Sequence, residues 1–102
     1  MGSQTSAAKT YSASQSNQTI FSVGANKRFK IKLLTVSATD AGAGTITIFQ
    51  GTNDASHRIT KLNLANNGGQ TIINSTVEIW DDLKYTTGSG AAGDISVVLE
   101  EL

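Results

Sequence analysis

More than a quarter of this chain consists of β-branched residues, and this excess constrains the fold more than any other feature. The 102 residues include nine isoleucines, five valines and thirteen threonines. Their stiff side chains fit a pleated strand better than a helix. Ten glycines, most of them between short apolar runs, supply turns. Because a chain of this length forms one domain, we predict an all-β fold, either a sandwich or a small barrel.

The alternation of apolar and polar residues locates the strands. In the run RFKIKL, Phe29, Ile31 and Leu33 share one face, as a half-buried strand requires. Leu34 and Val36 break the alternation, which predicts a bulge near Leu33 and Leu34 or burial of both faces beyond them. Together with the other apolar runs this predicts seven to eight antiparallel strands. The further strands are expected at 18–23, 45–51, 58–64, 70–80, 83–87 and 94–102. The last two are predicted to form a hairpin across GSGAAG, with Ile95, Val97 and Leu99 facing the core.

The first 17 residues contain almost nothing that can form a core, and Tyr11 is their one large apolar side chain. We therefore predict a flexible N-terminal arm over 1–17 and a single β-sandwich domain over 18–102. Ordering such an arm costs conformational entropy. Contacts along a neighbouring subunit, or with an exposed sheet edge that the arm covers, would offset that cost. The alternative is that these residues, beginning with MGS, are disordered or partly derived from an expression tag.

Charge and residue types exclude several classes of function. Eight basic and eight acidic residues give a formal net charge of zero, so the chain lacks the overall attraction of a nucleic-acid or anionic-membrane binder. No apolar run approaches the roughly 20 residues of a membrane span. The chain has no cysteine, and its one histidine, His57, lies in the polar turn NDASHR. We expect no enzyme, no catalytic residues, no cofactor, no metal, no nucleic acid and no membrane partner.

Charged groups remain as candidates for binding. The run KRFKIK places four basic residues along one side of a strand, namely Lys27, Arg28, Lys30 and Lys32. They either meet phosphate or an acidic partner, or they protect the sheet from edge-to-edge pairing, which is the favoured interpretation. The acidic residues lie elsewhere in the sequence, at Asp81, Asp82, Glu100 and Glu101. Separate basic and acidic surfaces would allow copies of the chain to associate head to tail. Calcium ligands are conceivable at Asp54 or at the Asp81–Asp82 pair, but the spacing favours ordinary turns.

The segment EIWDDLKYTT contains the one tryptophan of the chain. If the extended run from residue 70 keeps its pleat, Val77 and Ile79 face inward and Trp80 is exposed on an isolated subunit. The two aspartates that follow would turn the chain, so that Leu83 and Tyr85 return to the core. An exposed tryptophan beside acids fits either a buried anchor at a subunit interface or a sugar platform.

One pattern resembles a known group of proteins. The stretch TIFSVGANKRFKIKLLTVSAT, followed by GTITIFQGTND and a closing YTTGSGAAGDISVVLEE, is similar to small β-sandwich virion proteins of tailed phages, of the capsid decoration or cement type. The resemblance covers about residues 18–100 and carries no catalytic motif. It implies a jelly-roll-like fold and a homo-oligomer, for which a trimer is the first expectation. It also implies binding to the major capsid protein or another virion protein. It also implies a place on the capsid surface of the virion after synthesis in the host cytoplasm.

On this interpretation the candidate interface residues are Trp80, Asp82, Tyr85, Lys27, Arg28, Lys30, Lys32 and Tyr11. The main alternative is a carbohydrate- or receptor-binding module, such as a phage tail or spike tip or a lectin-like domain. There Trp80 and Tyr85 would form the platform, and Asp81 or Asp82 would accept hydrogen bonds from a bound glycan. A cellular sandwich domain that mediates protein contacts is a further alternative.

Overall fold

A computed structural model describes residues 4–38, 44–64, 69–72 and 77–102 of the protein. Over these residues the chain forms nine β-strands and no helix, so the prediction of an all-β fold is confirmed. In chain order the strands are β1 (Gln4–Tyr11), β2 (Gln18–Phe21), β3 (Phe29–Ala38), β4 (Gly44–Gln50), β5 (Arg58–Leu64), β6 (Gly69–Ile72), β7 (Glu78–Ile79), β8 (Leu83–Thr87) and β9 (Gly93–Glu101).

The strands form two antiparallel sheets. One sheet has the order β1-β9-β3-β6, with β7 also paired to β3, and the other has the order β2-β8-β4-β5. Because β6 and β7 pair with successive parts of β3, they occupy the same edge and together fill one strand position. The first four strands alternate between the two sheets, as in a jelly roll. The antiparallel, jelly-roll-like sandwich predicted from the sequence is therefore present.

The last two strands do not form the predicted hairpin. Strand β8 pairs with β2 and β4, whereas β9 pairs with β1 and β3 in the opposite sheet. The connection between them crosses from one sheet to the other, with Gly90 at a φ of 84°. The hairpin prediction was wrong because both strands have one buried face, and that pattern fits two strands facing each other across a core as well as two strands side by side.

The core lies between the sheets. The predicted alternation is confirmed at Phe29 and Ile31, whereas Leu33 is half-buried and Leu34 takes the next core position. On the five-stranded side, Ile31 lies opposite Leu99 and Val36 lies opposite Ile95. The register of β3 against β9 shifts between Ile31 and Leu33, which is the bulge predicted from the broken alternation. The contiguous core consists of Tyr11, Ile20, Phe29, Ile31, Leu34, Val36, Ile46, Ile48, Ile79, Leu83, Tyr85, Ala91, Ile95, Val97 and Leu99.

The N-terminal segment differs from the prediction. Over residues 4–11, the proposed arm is strand β1, which pairs with β9 at all eight positions. Its side chains are exposed except for Ala7, which is half-buried, and Tyr11, which is buried. The backbone ladder rather than apolar burial therefore holds this strand, and a hydrophobic pattern could not have revealed it.

Candidate interface surfaces

Trp80 lies at the corner where the chain passes between the sheets. Strand β7 ends at Ile79 in the five-stranded sheet, and β8 begins at Leu83 in the four-stranded sheet. Ile79 and Leu83 are fully buried, whereas 52% of Trp80 is exposed. The predictions of a sheet corner, of an exposed Trp80 and of a return to the core at Leu83 are confirmed.

A buried glutamine fixes the backbone beneath the indole. Gln50 is only 5% exposed, and its side-chain Oε1 accepts hydrogen bonds from the backbone N–H groups of Trp80 (2.9 Å) and Asp81 (3.3 Å). These two N–H groups lie beyond the end of the β7 ladder at Ile79, and Gln50 takes the place of a strand partner for them. This contact could not be predicted from the sequence, because Gln50 belongs to β4 in the other sheet.

Asp82 fixes the other side of the corner. Its Oδ1 accepts a hydrogen bond from the Val23 N–H at 2.9 Å, and its backbone carbonyl accepts one from the Gly51 N–H at 2.8 Å. Gly51 has a φ of 69°, and a Cβ there would overlap the Asp81 carboxylate. Asp82 therefore stabilises the corner itself. The segment that carries Trp80 is hydrogen-bonded to β4, to the turn after β4 and to the loop after β2.

Leu102 lies near the same end of the sheet. Its backbone N–H donates to the Arg28 carbonyl at 2.9 Å. The next residue, Phe29, lies opposite Glu101 on one side and Ile79 on the other. By this register Arg28 is placed between Leu102 and Trp80. Leu102 is 55% exposed, and it and Trp80 are the exposed large hydrophobic residues of the described part of the chain. We call Trp80, Arg28 and Leu102 the corner patch.

The basic residues predicted as a group are partly neutralised by neighbouring acids. Arg28 Nη2 lies 3.6 Å from Glu78 Oε1, and Lys32 Nζ lies 3.7 Å from Glu100 Oε1. Lys30 lies opposite both glutamates in the strand register. Such half-exposed pairs contribute about 0–1 kcal/mol each. Their importance lies in charge distribution, because acids and bases interleave on one sheet.

This interleaving corrects two expectations. The acids and bases were expected on separate surfaces suited to head-to-tail association, but Glu100 lies beside the basic residues of β3. The sequence also placed all four bases on one strand, whereas β3 begins at Phe29. Lys27 lies in the preceding turn, where its N–H donates to the Gly24 carbonyl at 3.2 Å.

The two tyrosines proposed for the interface are core residues. Tyr11 is 1% exposed and Tyr85 is fully buried. Tyr11 Oη donates to the Ser37 carbonyl at 3.1 Å, and Tyr85 Oη donates to Gln15 Oε1 at 2.6 Å. Burial raises the pKa of both phenols, and Asp94 raises that of Tyr11 further. Neither ring is available on the surface of this chain, so the sugar platform of Trp80 with Tyr85 is not formed.

The turn around His57 has a local structural explanation. Asp54 Oδ1 lies 2.7 Å from His57 Nδ1 and accepts hydrogen bonds from the Ser56 hydroxyl and from the His57 backbone N–H. The side-chain hydrogen bond with His57 is the main reason that the pKa of Asp54 is lowered. Ser56 and Asp54 both approach the same nitrogen, Nδ1, so the three residues do not form a chain of nucleophile, base and orienting acid.

Within 4–38, 44–64, 69–72 and 77–102, no group of three or more histidine, cysteine, aspartate or glutamate side chains is arranged to hold a metal ion. The same ranges contain no helix with the length and apolar character needed to cross a membrane. The exposed features that remain are the corner patch and the edges of the two sheets.

Comparison with known proteins gives a structural likeness and no family. No family model and no curated protein matches the sequence. Among the matching solved structures is a chain of the Cyanophage Pam1 capsid asymmetric unit, which is 8% identical. The alignment covers 98% of this chain and 84% of that chain, with a TM-score of 0.48. The likeness is one of general shape, and no function follows from it.

Proposed function

We propose that this protein is a non-enzymatic structural component of a virus particle, of the type that decorates or cements a phage capsid. The observation that carries the proposal is Trp80, which is 52% exposed on a backbone fixed by Gln50 and Asp82. The jelly-roll order of the sheets and the resemblance of residues 18–100 to small virion proteins support the same role. The neutral and interleaved surface favours a protein partner over nucleic acid.

The corner patch has the properties of an interface centre. Tryptophan and arginine are the residue types that most often dominate the binding energy of protein interfaces. Trp80 and Leu102 supply exposed apolar area, and Arg28 between them retains donor capacity beyond its long contact with Glu78. Because the corner backbone is held before binding, little entropy is lost there on association. In the proposed role this patch contacts a second copy of the chain or the major capsid protein.

Trp80 provides its own optical probe, because it is the only tryptophan. We expect its fluorescence to be solvent-exposed in the free chain, and to shift to shorter wavelength with reduced acrylamide quenching when the chain binds assembled phage heads. Co-sedimentation with heads of the phage that encodes the chain should show saturable binding. Trp80→Ala should weaken binding by about tenfold or more, as for an interface hot spot, while Trp80→Phe keeps part of it.

The matched control is Thr19→Ala, which removes an exposed side chain from another strand. It should bind heads like the original protein. A chain that fails to co-sediment with its own phage heads at micromolar concentration contradicts the proposal. Light scattering supplies the oligomeric state: a trimer, as the resemblance to virion proteins implies, has three times the 10.7 kDa mass of one chain, and a dimer has twice that mass.

The glycan-binding alternative has a distinct signature in the same experiments. Trp80 alone could still stack on a sugar ring, although Tyr85 is buried and Asp82 Oδ1 already accepts the Val23 N–H. A glycan binder would act as a monomer and would show the Trp80 spectral shift with an oligosaccharide in place of phage heads. That outcome would replace the decoration role by the carbohydrate-binding one.

A further inference from the structure

In the part of the chain that the structure describes, the two sheets have four edges, and three of them carry features that hinder pairing with another chain. Strand β2 is four residues long and has a register shift between Thr19 and Phe21. Strand β5 has a register shift against β4 and carries Arg58 and Lys61. The third edge is divided into β6, with four residues, and β7, with two. Short strands, bulges and charges are the usual protection against edge-to-edge association.

The fourth edge, β1, has less of this protection, because it is eight residues long, regular and carries one charge, Lys9. Its register against β9 runs from Gln4 to Tyr11 without a shift. Its sequence, QTSAAKTY, has a single charge at Lys9 and otherwise small or uncharged side chains. A regular strand of this length presents a row of backbone N–H and C=O groups on the side away from β9.

We propose that β1 is a pairing edge for β1 of a second copy of this chain, so that two five-stranded sheets join across a two-fold axis. In an antiparallel pair centred on Ala7, Lys9 lies opposite Thr5 of the other copy, and in one centred on Ala8 it lies opposite Ala7. Neither register brings the two Lys9 side chains directly opposite each other, so no like charges face each other across the pair. Lys9 is the one charged residue of β1, so a charged partner segment would have a single ionic contact there. A second copy of β1, whose other residues are uncharged, therefore fits this edge better.

An exchange of β1 between copies is less compatible with the structure than pairing at the edge. Exchange needs a hinge directly after β1, but that connection is bonded to β8. Gln15 accepts hydrogen bonds from Tyr85 Oη and the Ser12 N–H, and Thr87 bonds both Ser12 and Gln15. Tyr11 is buried in the core of its own subunit. The end of β1 is therefore fixed, and its free edge is what remains for a partner.

The area of this contact determines how strongly the copies associate. Stable protein interfaces bury a total surface of about 1,200 Å² or more, and one pair of eight-residue strands buries less than that. A shallow depression of 280 Å³ lined by Gln4, Thr5, Ser6 and Val98 lies beside the edge and can receive side chains of the partner. We therefore expect a weak, concentration-dependent dimer in solution. The inference does not require the corner patch and can hold if the decoration role fails.

The first experiment places a charge on the pairing edge. Sedimentation velocity of the full chain over a wide concentration range should show monomer and dimer in exchange. Ala8→Lys should weaken the dimer by about tenfold or more, because it adds a second lysine beside Lys9 and brings like charges together at the two-fold axis. Thr19→Lys, at an exposed position of the short edge strand β2, should leave it unchanged. A chain that stays monomeric, or a dimer that Ala8→Lys does not weaken, would overturn the proposal.

Cysteine cross-linking locates the contact, because the chain has no cysteine of its own. Under mild oxidation Ala7→Cys or Ala8→Cys should give a disulfide-linked dimer faster than Thr19→Cys does. Equal rates for all three variants would contradict pairing at β1. Ala8 also lies opposite Ser96 in the ladder with β9. The double variant Ala8→Cys, Ser96→Cys should join positions 8 and 96 within one chain. A bridge from position 8 of one chain to position 96 of another, identified by mass spectrometry, would indicate strand exchange and overturn the proposed geometry.

The same measurements separate this inference from the decoration role. Trp80→Ala should leave the dimer unchanged while it weakens binding to phage heads. A dimer lost in Trp80→Ala but retained in Ala8→Lys would assign self-association to the corner patch and refute pairing at β1.

Discussion

The ring of Tyr11 lies edge-on to the ring of Tyr85, with centroids 6.1 Å apart and planes inclined by 63°. Tyr11 ends β1 in the five-stranded sheet, and Tyr85 lies in the middle of β8 in the four-stranded sheet. The pair therefore connects the N-terminal segment to the opposite side of the sandwich. Edge-to-face packing of this kind adds about 0.5–1.5 kcal/mol beyond the burial of the rings.

Replacing Tyr11 should reduce the stability of the whole domain. Tyr11→Ala removes a buried aromatic side chain and should lower the free energy of unfolding by about 3–5 kcal/mol. Tyr11→Phe keeps the ring and loses only the hydrogen bond to the Ser37 carbonyl, at a cost of about 0.5–1.5 kcal/mol. Urea unfolding followed by circular dichroism measures both. Equal stability of Tyr11→Ala and the original chain would contradict the anchoring role of Tyr11.

The buried tyrosines should make the protein lose stability in alkali. Their pKa values are raised in the folded chain above the usual 10.0, chiefly by burial. In the unfolded chain they ionise first, so the folded state holds more protons at high pH and the free energy of unfolding falls as pH rises. The part of the free energy of unfolding that depends on the neutral phenols is fully present below pH 10.0. It is lost as the pH rises through the pKa values of the folded chain.

Urea unfolding at a series of pH values above neutrality checks this slope. The double variant Tyr11→Phe, Tyr85→Phe retains every lysine but has no tyrosine to ionise. Its free energy of unfolding should depend less on pH in the alkaline range. An identical slope in the two proteins would show that other groups cause the loss.

Gln50→Met tests the support beneath Trp80. The substitution keeps the side-chain volume but removes the Oε1 atom that accepts the Trp80 and Asp81 N–H groups. Losing these two part-buried hydrogen bonds, at about 0.5–1.5 kcal/mol each, should lower the free energy of unfolding by about 1–3 kcal/mol. The Trp80 fluorescence anisotropy should fall as the corner loosens. Unchanged stability and anisotropy would indicate that water or another group replaces the amide oxygen.

Gly93→Ala should be one of the most damaging small substitutions in the chain. Strand β9 begins there between Tyr11 on β1 and Ala38 on β3. An added Cβ would overlap the Ser37 carbonyl oxygen and lie 2.8 Å from Tyr11 Oη. We expect a loss of about 1–3 kcal/mol or more from this overpacking.

The matched control for that substitution is Gly24→Ala in the turn before β3. Its added Cβ would have Lys27 Cδ as nearest neighbour at 3.4 Å, and that side chain can move. The change in stability should stay within about 0.5 kcal/mol. Similar melting temperatures of the two variants would refute the close packing at Gly93.

Part of the candidate site could be predicted from the sequence. The alternation through Val77, Ile79 and Leu83 placed Trp80 on the surface at a turn, and its exposure of 52% agrees. The sequence could not predict that Leu102 lies near it or that Glu100 neutralises Lys32. These neighbours are about 20 and 70 residues away along the chain, and strand order rather than local pattern brings them together.

By itself, the sequence determined that the chain is an antiparallel sandwich and which faces of its strands are buried. β-Branched content and a period of two are local properties, and one buried face per strand is enough to specify them. The tertiary structure decided which strands are neighbours. It separated β8 from β9, and it made residues 4–11 a strand although they bury little beyond Tyr11. Backbone groups are the same in every residue, so a strand held by its ladder leaves no mark in the sequence until its partner is known.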